Sequence, residues 1–268
     1  MDSYGGWRMK FDKTEVFNFK GALRGMRNPL ESWNKSDSCD CYHILCSDCD
    51  NKPFCNWRKI EQKVYESILN TIEETCSYPY FSFGENDIKL AQRLILAGST
   101  HSKFMRQISV SVDITAPLYW WKEFDTYKVG TVANSESTMH KLATTPITLD
   151  CIETGDYNDG LGNYFDCASN VEGRDGGYLA EDVQFIIELL ENLRQTYLET
   201  KDKRYWKELI RWLPEGWLQA RTVTMSYENV RSMARDRSNH KLTEWSVDFI
   251  EWCHSLPYSE ELIFIGGE

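Results

Sequence analysis

The sequence predicts a mixed α/β (α+β) fold: a sheet packed with helices, carrying a cysteine-rich insertion. Three observations predict it. Residues 108–115 alternate, with Ile108, Val110, Val112 and Ile114 facing one way and Ser109, Ser111, Asp113 and Thr115 the other, the period of a half-buried strand. Residues 180–200 instead place Val183, Ile186, Ile187, Leu190, Leu193 and Tyr197 on one stripe, which is the 3.6-residue period of an amphipathic helix. Between Cys39 and Cys55 stand five of the chain's nine cysteines.

At 268 residues the chain can bury a full core, as one domain with an excursion or as two small ones. A net charge of -11 excludes a general nucleic-acid-binding face, because phosphate backbones are held by basic surface; neither DNA nor RNA is an expected partner. No apolar run approaches the roughly 18 residues that span a bilayer, and the first 20 residues lack the apolar centre of a signal peptide. The expectation is a cytoplasmic protein without a membrane partner. In a reducing compartment an odd set of nine cysteines reads as thiols or metal ligands.

Taken in order, residues 11–24 read as a strand leading to a short helix. A loop punctuated by Asn28-Pro29 follows, in which Arg24, Arg27 and the serines either reach a phosphate or cap neighbouring helices. The cysteines then run C-x-C-x4-C-x2-C-x5-C around His43. A C-x2-C step lets two thiolates grip one ion from a tight turn. Cys39, Cys41, Cys46, Cys49 and Cys55 are therefore candidate ligands of a structural zinc; a set of unligated thiols is the alternative. Residues 57–74 carry a helical apolar stripe, so 39–82 reads as an insertion with one helix inside a main domain of 1–38 and 83–268. Asn86 or Asp87 is the expected N-cap of a helix over 88–97, and Gly98 its stop.

The strand at 108–115 stops at Ala116-Pro117 and gives way to a helical LYWWKEFDTYK, with core packing expected for at least two of Trp120, Trp121 and Phe124. Residues 130–138 read as a loop of small hydroxyl and amide side chains. An aromatic wall beside such a loop is how a pocket for a flat, polar ligand is built. Residues 146–177 read as a long surface loop or lid, whose Asp156, Asp159 and Asp166 lack calcium-loop spacing and read as solvated acids. Helices follow at 180–200, 203–212 and 245–252. The tail begins with a turn and is expected to add a final short strand.

Two spacings in this order carry a family resemblance. Ala116-Pro117 is followed by Lys122-Glu123-Phe124, Thr126-Tyr127-Lys128, Thr131, Asn134-Ser135, Ser137 and Met139-His140. Leu213-Pro214 is followed by a threonine-rich segment, a helix, Arg237 and then Glu244. In both, over roughly residues 88–249, the chain resembles the flavin-dependent thymidylate synthases. The family's R-H-R triplet stands here as Thr126-Tyr127-Lys128. Ser226 and Glu228 replace its asparagine and arginine before Arg237, with Asn229 and Arg231 nearby.

The resemblance implies that family's fold, a homotetramer with sites shared between subunits, bound FAD, and methylation of dUMP by methylenetetrahydrofolate with NADPH as reductant. It assigns cofactor binding to Lys122, Tyr127, Lys128, Asn134 and Asn229. It assigns nucleotide binding to Glu123, Ser135, Ser137, Arg221 and Arg237, and catalysis to Ser137, His140 and Arg237. His140 reads either as a proton-transfer group near neutral pH or as a polar residue at a loop end. Such chemistry needs cations where negative charge develops on the base, and planar arginine forks suit it. The triplet here retains only Lys128, a point charge. An alternative expectation is thus a catalytically inactive nucleotide-binding, sequestering or interaction protein on the same scaffold. A further one makes the cysteine insertion a zinc-organised docking element for a partner protein.

Overall fold

The computed structural model describes residues 8–41, 80–153 and 179–266. The expected helix at 57–74, the zinc candidates Cys46, Cys49 and Cys55, and most of the 146–177 loop lie outside the described residues. In chain order the first elements are β1 (Lys10–Phe17), α1 (Phe19–Arg27), β2 (Cys39–Cys41), β3 (Tyr80–Ser82), α2 (Glu85–Leu96), β4 (Ser109–Pro117) and α3 (Leu118–Phe124). Then come β5 (Val132–Ser135), α4 (Thr138–Thr144), α5 (Leu179–Thr200), α6 (Lys203–Arg211), β6 (Leu218–Ser226) and α7 (Tyr227–Arg237). A π-helical stretch, Glu244–Phe249, runs into α8 (Ile250–Ser255), and α9 (Ser259–Leu262) follows. The chain forms two compact units, one of Met1–Glu15, Ser111–Thr224 and Ser238–Trp252, the other of Val16–Val110, Met225–Arg237 and Cys253–Glu268.

The first unit holds most of a four-stranded antiparallel sheet in the order β1-β4-β6-β5. β4 keeps the alternation written in its sequence: Val110, Val112, Ile114 and Ala116 are buried, while Ser109, Ser111, Asp113 and Thr115 are half-exposed. β1 is an edge strand interrupted at Lys13, whose φ of 51° puts it in the left-handed region. After Pro117 the chain turns into α3, whose first N–H groups are satisfied from outside the helix. Leu118 donates to the Trp217 carbonyl (3.0 Å) and Tyr119 to that of Glu215 (3.1 Å).

All three large aromatics of α3 are buried. Trp120 stacks on Trp245 at 4.4 Å and on Phe124 at 5.2 Å, and the series continues through Phe249 to Trp252, which stacks on Phe11 at 5.1 Å. Such ring pairs add to the burial term that dominates here. A separate core joins Val183, Ile187 and Leu190 of α5 with Leu209 of α6, Ile147, Ile152 and Trp217. Ile186, expected on that stripe, is exposed. Glu191 pins this core, accepting from the Arg194 guanidinium (2.8 and 2.7 Å) and the Ile147 N–H (2.8 Å). Those bonds, the Arg194 pair first, lower its carboxyl pKa to about 2.

The second unit centres on edge-on rings. Phe19 meets Phe83, Tyr227 and Tyr258 at 5.5, 5.6 and 5.6 Å. Its polar centre is an ion pair: Arg27 Nε donates to Asp87 Oδ1 at 2.6 Å, and both side chains are almost wholly buried. Asp87 also accepts from the hydroxyls of Ser36 (2.7 Å) and Ser38 (2.6 Å), and Arg27 donates to the carbonyls of Ser32 (3.1 Å) and Lys35 (3.0 Å). Every strong group in the cluster thus has a partner, the condition under which a buried charge pair is tolerated.

Three expectations need correction. Residues 130–138 are not loop throughout, because β5 pairs with β6; all four of its residues are exposed, so no alternation betrayed a strand. Neither Asn86 nor Asp87 caps α2. The helix starts one turn earlier at Glu85, and Asp37 supplies the cap, its carboxylate accepting from Asn86 N (2.9 Å) and Asp87 N (3.2 Å). Gly84 makes room for it, since a Cβ there would lie 2.2 Å from the Asp37 carboxyl. The tail forms α9 rather than a strand, burying Leu262 and Ile263. Gly98, with φ of 101°, follows α2 as expected. Among the described residues, no helix is long and apolar enough to cross a membrane.

Candidate functional site

One row of polar side chains crosses the open face of the sheet in the first unit. Lys13 of β1 lies 3.1 Å from the Asp113 carboxylate of β4, and the Thr222 hydroxyl of β6 donates to the same carboxylate at 2.6 Å. Asn134 of β5 stands opposite Thr222 in the strand register, and Ser135 opposite Arg221. The Thr222 hydroxyl, then Lys13, hold the Asp113 carboxyl below its ordinary range.

At the end of this row is an open cleft of about 620 Å3, lined among others by Asp113, Asn134, Ser135, Glu136, Arg221 and Thr222. Arg221 is the organised cation of the cleft. Its guanidinium carbon sits 4.2 Å from the centre of the Trp121 ring. Its Nη1 donates to Asp125 at 3.0 Å and its Nε to Gln219 at 2.9 Å. Gln219 is itself fixed, its side-chain amide donating to the Glu136 carbonyl and the Thr138 hydroxyl, each at 3.1 Å, while its main-chain carbonyl accepts from the Trp121 indole at 3.0 Å. Buried supports of this kind hold a guanidinium plane in one orientation, the requirement for two-point recognition of a planar or anionic ligand.

A second polar group of the same unit lies on the other side of α3. The Tyr119 phenol donates to Glu244 and lies 3.4 Å from Glu153. Burial, then the Glu244 bond, raises its pKa far above the ordinary value. One turn further on, Glu123 is 3.3 Å from His240 Nε2. Tyr119 and Glu123 are four apart on one helix and Glu244 and His240 four apart on the facing segment, so two rungs join them.

Of the residues singled out from the sequence, Asn134, Ser135 and Arg221 meet at the cleft. Lys122 is exposed and pairs with Glu215, and Lys128 is exposed beyond the 3-10 turn that follows α3. Glu123 faces His240, and the Tyr127 ring lies 6.4 Å from Trp245. The Ser137 hydroxyl accepts from the His140 N–H at 3.3 Å and caps α4, and His140 is exposed in that helix's first turn. Asn229 and Arg237 belong to the second unit. There Ser226 and Asn229 cap the start of α7 reciprocally, the Ser226 hydroxyl donating to Asn229 Oδ1 at 2.5 Å, and Arg237 ends the same helix half-buried. Cys39 and Cys41 both lie on β2. Among the described residues no group of three or more His, Cys, Asp and Glu side chains is placed to hold a metal, so nothing there supports zinc.

Sequence reading missed Asp12, Lys13, Asp125 and Gln219. Only Asp113 and Thr115 had left a signal, as the outward face of the alternating strand.

No protein-family model matches the chain, and no curated protein does. Solved structures do. The chain is similar to thymidylate synthase X (ThyX) of Helicobacter pylori with FAD and dUMP, at 14% identity and a TM-score of 0.53, covering 96% of this chain and 97% of that one. A second structure of the flavin-dependent thymidylate synthase ThyX from Helicobacter pylori, complexed with FAD and dUMP, matches at 15% identity and a TM-score of 0.54, covering 97% and 98%. At such identity the likeness is one of fold. The chain has a ThyX-like fold, a mixed arrangement of helices and an antiparallel sheet.

Proposed function

We propose that this chain binds a uridine nucleotide of the dUMP type in the cleft beside Arg221. The observation that carries the reading is the match, over nearly all of both chains, to structures that hold dUMP and FAD. The cleft suits the nucleotide. Its volume of about 620 Å3 lies within the roughly 300–1,000 Å3 of small-molecule sites. Asn134, Ser135 and Thr222 offer donors and acceptors for an imide edge and a sugar hydroxyl, and Arg221 offers a fixed fork. Because Lys13 and Arg221 each already face a carboxylate, the phosphate competes with Asp113 and Asp125, and binding weakens with salt.

Asp12, Asp113 and Glu136 line the same cleft beside Lys13 and Arg221, so any phosphate-bearing ligand, nucleotide or flavin, enters against three carboxylates. The binding reading comes first because it asks for one ligand and no turnover. A second reading, one-carbon transfer to the base with FAD, folate and NADPH in a tetramer, is favoured by the end-to-end match to flavin-bound structures.

Calorimetric titration with dUMP tests the first reading. Arg221→Ala is expected to weaken binding by roughly tenfold to a hundredfold, the loss of charge-assisted hydrogen bonds worth about 1.5–3 kcal/mol. No heat at millimolar dUMP, or wild-type affinity in Arg221→Ala, refutes it. For the second reading, flavin absorbance is measured after adding FAD, and thymidylate formation with methylenetetrahydrofolate and NADPH. Failure to retain FAD removes that reading and leaves the first intact.

A further inference from the structure

Strand β1 departs from the alternation that its geometry imposes. In a regular strand successive side chains point to opposite faces, so two residues three apart fall on different sides of the sheet. Phe11 and Thr14 nevertheless meet one neighbour. The Phe11 ring stacks on Trp252 at 5.1 Å, and the Trp252 indole donates to the Thr14 hydroxyl at 3.1 Å. The extra residue between them is taken up at Lys13, whose φ of 51° is left-handed, a conformation uncommon for any side chain but glycine. The kink acts as a β-bulge does. It turns two consecutive side chains, Asp12 and Lys13, toward the Arg221 cleft, and both line it. Backbone held in a sparsely populated conformation at the lip of a cleft points to a task for the side chains it re-aims.

The two side chains are not equivalent. Lys13 lies 3.1 Å from Asp113, Glu136 pairs with Lys141 at 3.1 Å, and Arg221 with Asp125 at 3.0 Å. Each of those charges has an opposite one against it. Asp12 is exposed, and among the described residues no cation is paired with it. A first phosphate can take the place of Asp125 at Arg221 or of Asp113 at Lys13. Among the described residues no third cation lines the cleft, so a further phosphate meets Asp12 instead.

We infer that Asp12, turned to the cleft by the Lys13 kink, is a specificity-determining residue that limits the ligand to one phosphate, so that a nucleoside monophosphate is preferred to the triphosphate of the same nucleoside. The inference rests on the dUMP reading and adds to it a charge limit and the residue that sets it.

The full chain is titrated calorimetrically with dUMP and with dUTP, without added divalent cation. Wild type is expected to bind dUMP at least about tenfold more tightly than dUTP, because the longer ligand brings two further negative charges toward Asp12. Asp12→Asn keeps the shape and removes the charge. It should narrow that ratio by at least about threefold through tighter dUTP binding, and added salt should narrow the wild-type ratio in the same direction. Glu15→Gln removes the same charge from an exposed position of β1 that does not line the cleft, and should leave the ratio as it is. Both positions are exposed, and unchanged circular dichroism confirms that the variants are folded. If dUMP binds, the inference alone is overturned by any of four results: equal dUTP affinity in wild type, an unchanged ratio in Asp12→Asn, a ratio narrowed there only by weaker dUMP, or the same narrowing in Glu15→Gln. Binding of neither nucleotide overturns it together with the dUMP reading.

Discussion

Replacing Asp87 by asparagine tests how the second unit is held together. The carboxylate is completely buried and its partner Arg27 nearly so, and Asp87 is the acceptor for the hydroxyls of Ser36 and Ser38 in the 28–38 loop. Asparagine keeps the shape but not the charge. It leaves the Arg27 guanidinium facing a neutral amide oxygen in place of a carboxylate, beside the Ser32 and Lys35 carbonyls, and turns an NH2 group toward hydroxyls that had been donors. Removing one member of a buried pair costs about 3–5 kcal/mol, because the other charge stays desolvated. Arg27→Met strands the carboxylate and should cost a similar amount. The double variant strands neither, so its cost should fall below the sum of the singles by at least about 2 kcal/mol. Urea unfolding followed by circular dichroism measures all three. A cost below about 1 kcal/mol for Asp87→Asn, or additive single costs, would show that the pair is not the fixed point described above.

Glu191, held near pKa 2 against an ordinary 4.5, contributes stability that is full above the unfolded value. That contribution is lost as pH falls from about 5 through 2; Glu191→Gln should flatten this acid limb in thermal melts, and an unchanged limb would refute the assignment. Tyr119→Phe leaves Glu244 and Glu153 without their shared donor, with an expected loss of about 1–3 kcal/mol in denaturant titrations. Ser137→Ala removes a helix cap and should cost roughly 1 kcal/mol while leaving dUMP affinity unchanged; a large drop in affinity with unaltered stability would return Ser137 to a direct role at the ligand.

What the sequence revealed depended on burial and on distance along the chain. β4 was legible because one of its faces is buried, so its residues had to alternate. β5 was not, because an exposed edge strand needs no pattern at all. The aromatics of α3 were correctly expected in the core, since a residue as large as Trp120 or Trp121 is seldom left in water. The candidate site was half legible. Asn134, Ser135 and Arg221, named from the family resemblance, line one cleft, whereas Lys13 reaches Asp113 only once β1 and β4 have paired. Long-range pairing hid other partners too. Asp87 looked like a helix cap because its neighbours in sequence are those of a helix start, yet Arg27, which it holds, lies 60 residues earlier. In the same way nothing near Glu123 announced His240.

The interruption of β1 at Lys13 bears on how copies of this chain can associate. β1 and β5 are the two margins of the sheet. One carries a left-handed, charged residue in mid-strand, and the other is only four residues long. Kinks, lysines and short margins are what prevent a sheet from recruiting a strand of a neighbouring molecule. Self-association by sheet extension, including the disordered kind that ends in aggregates, is thereby disfavoured. An assembly that uses this sheet would be built on its flat face rather than on its margins.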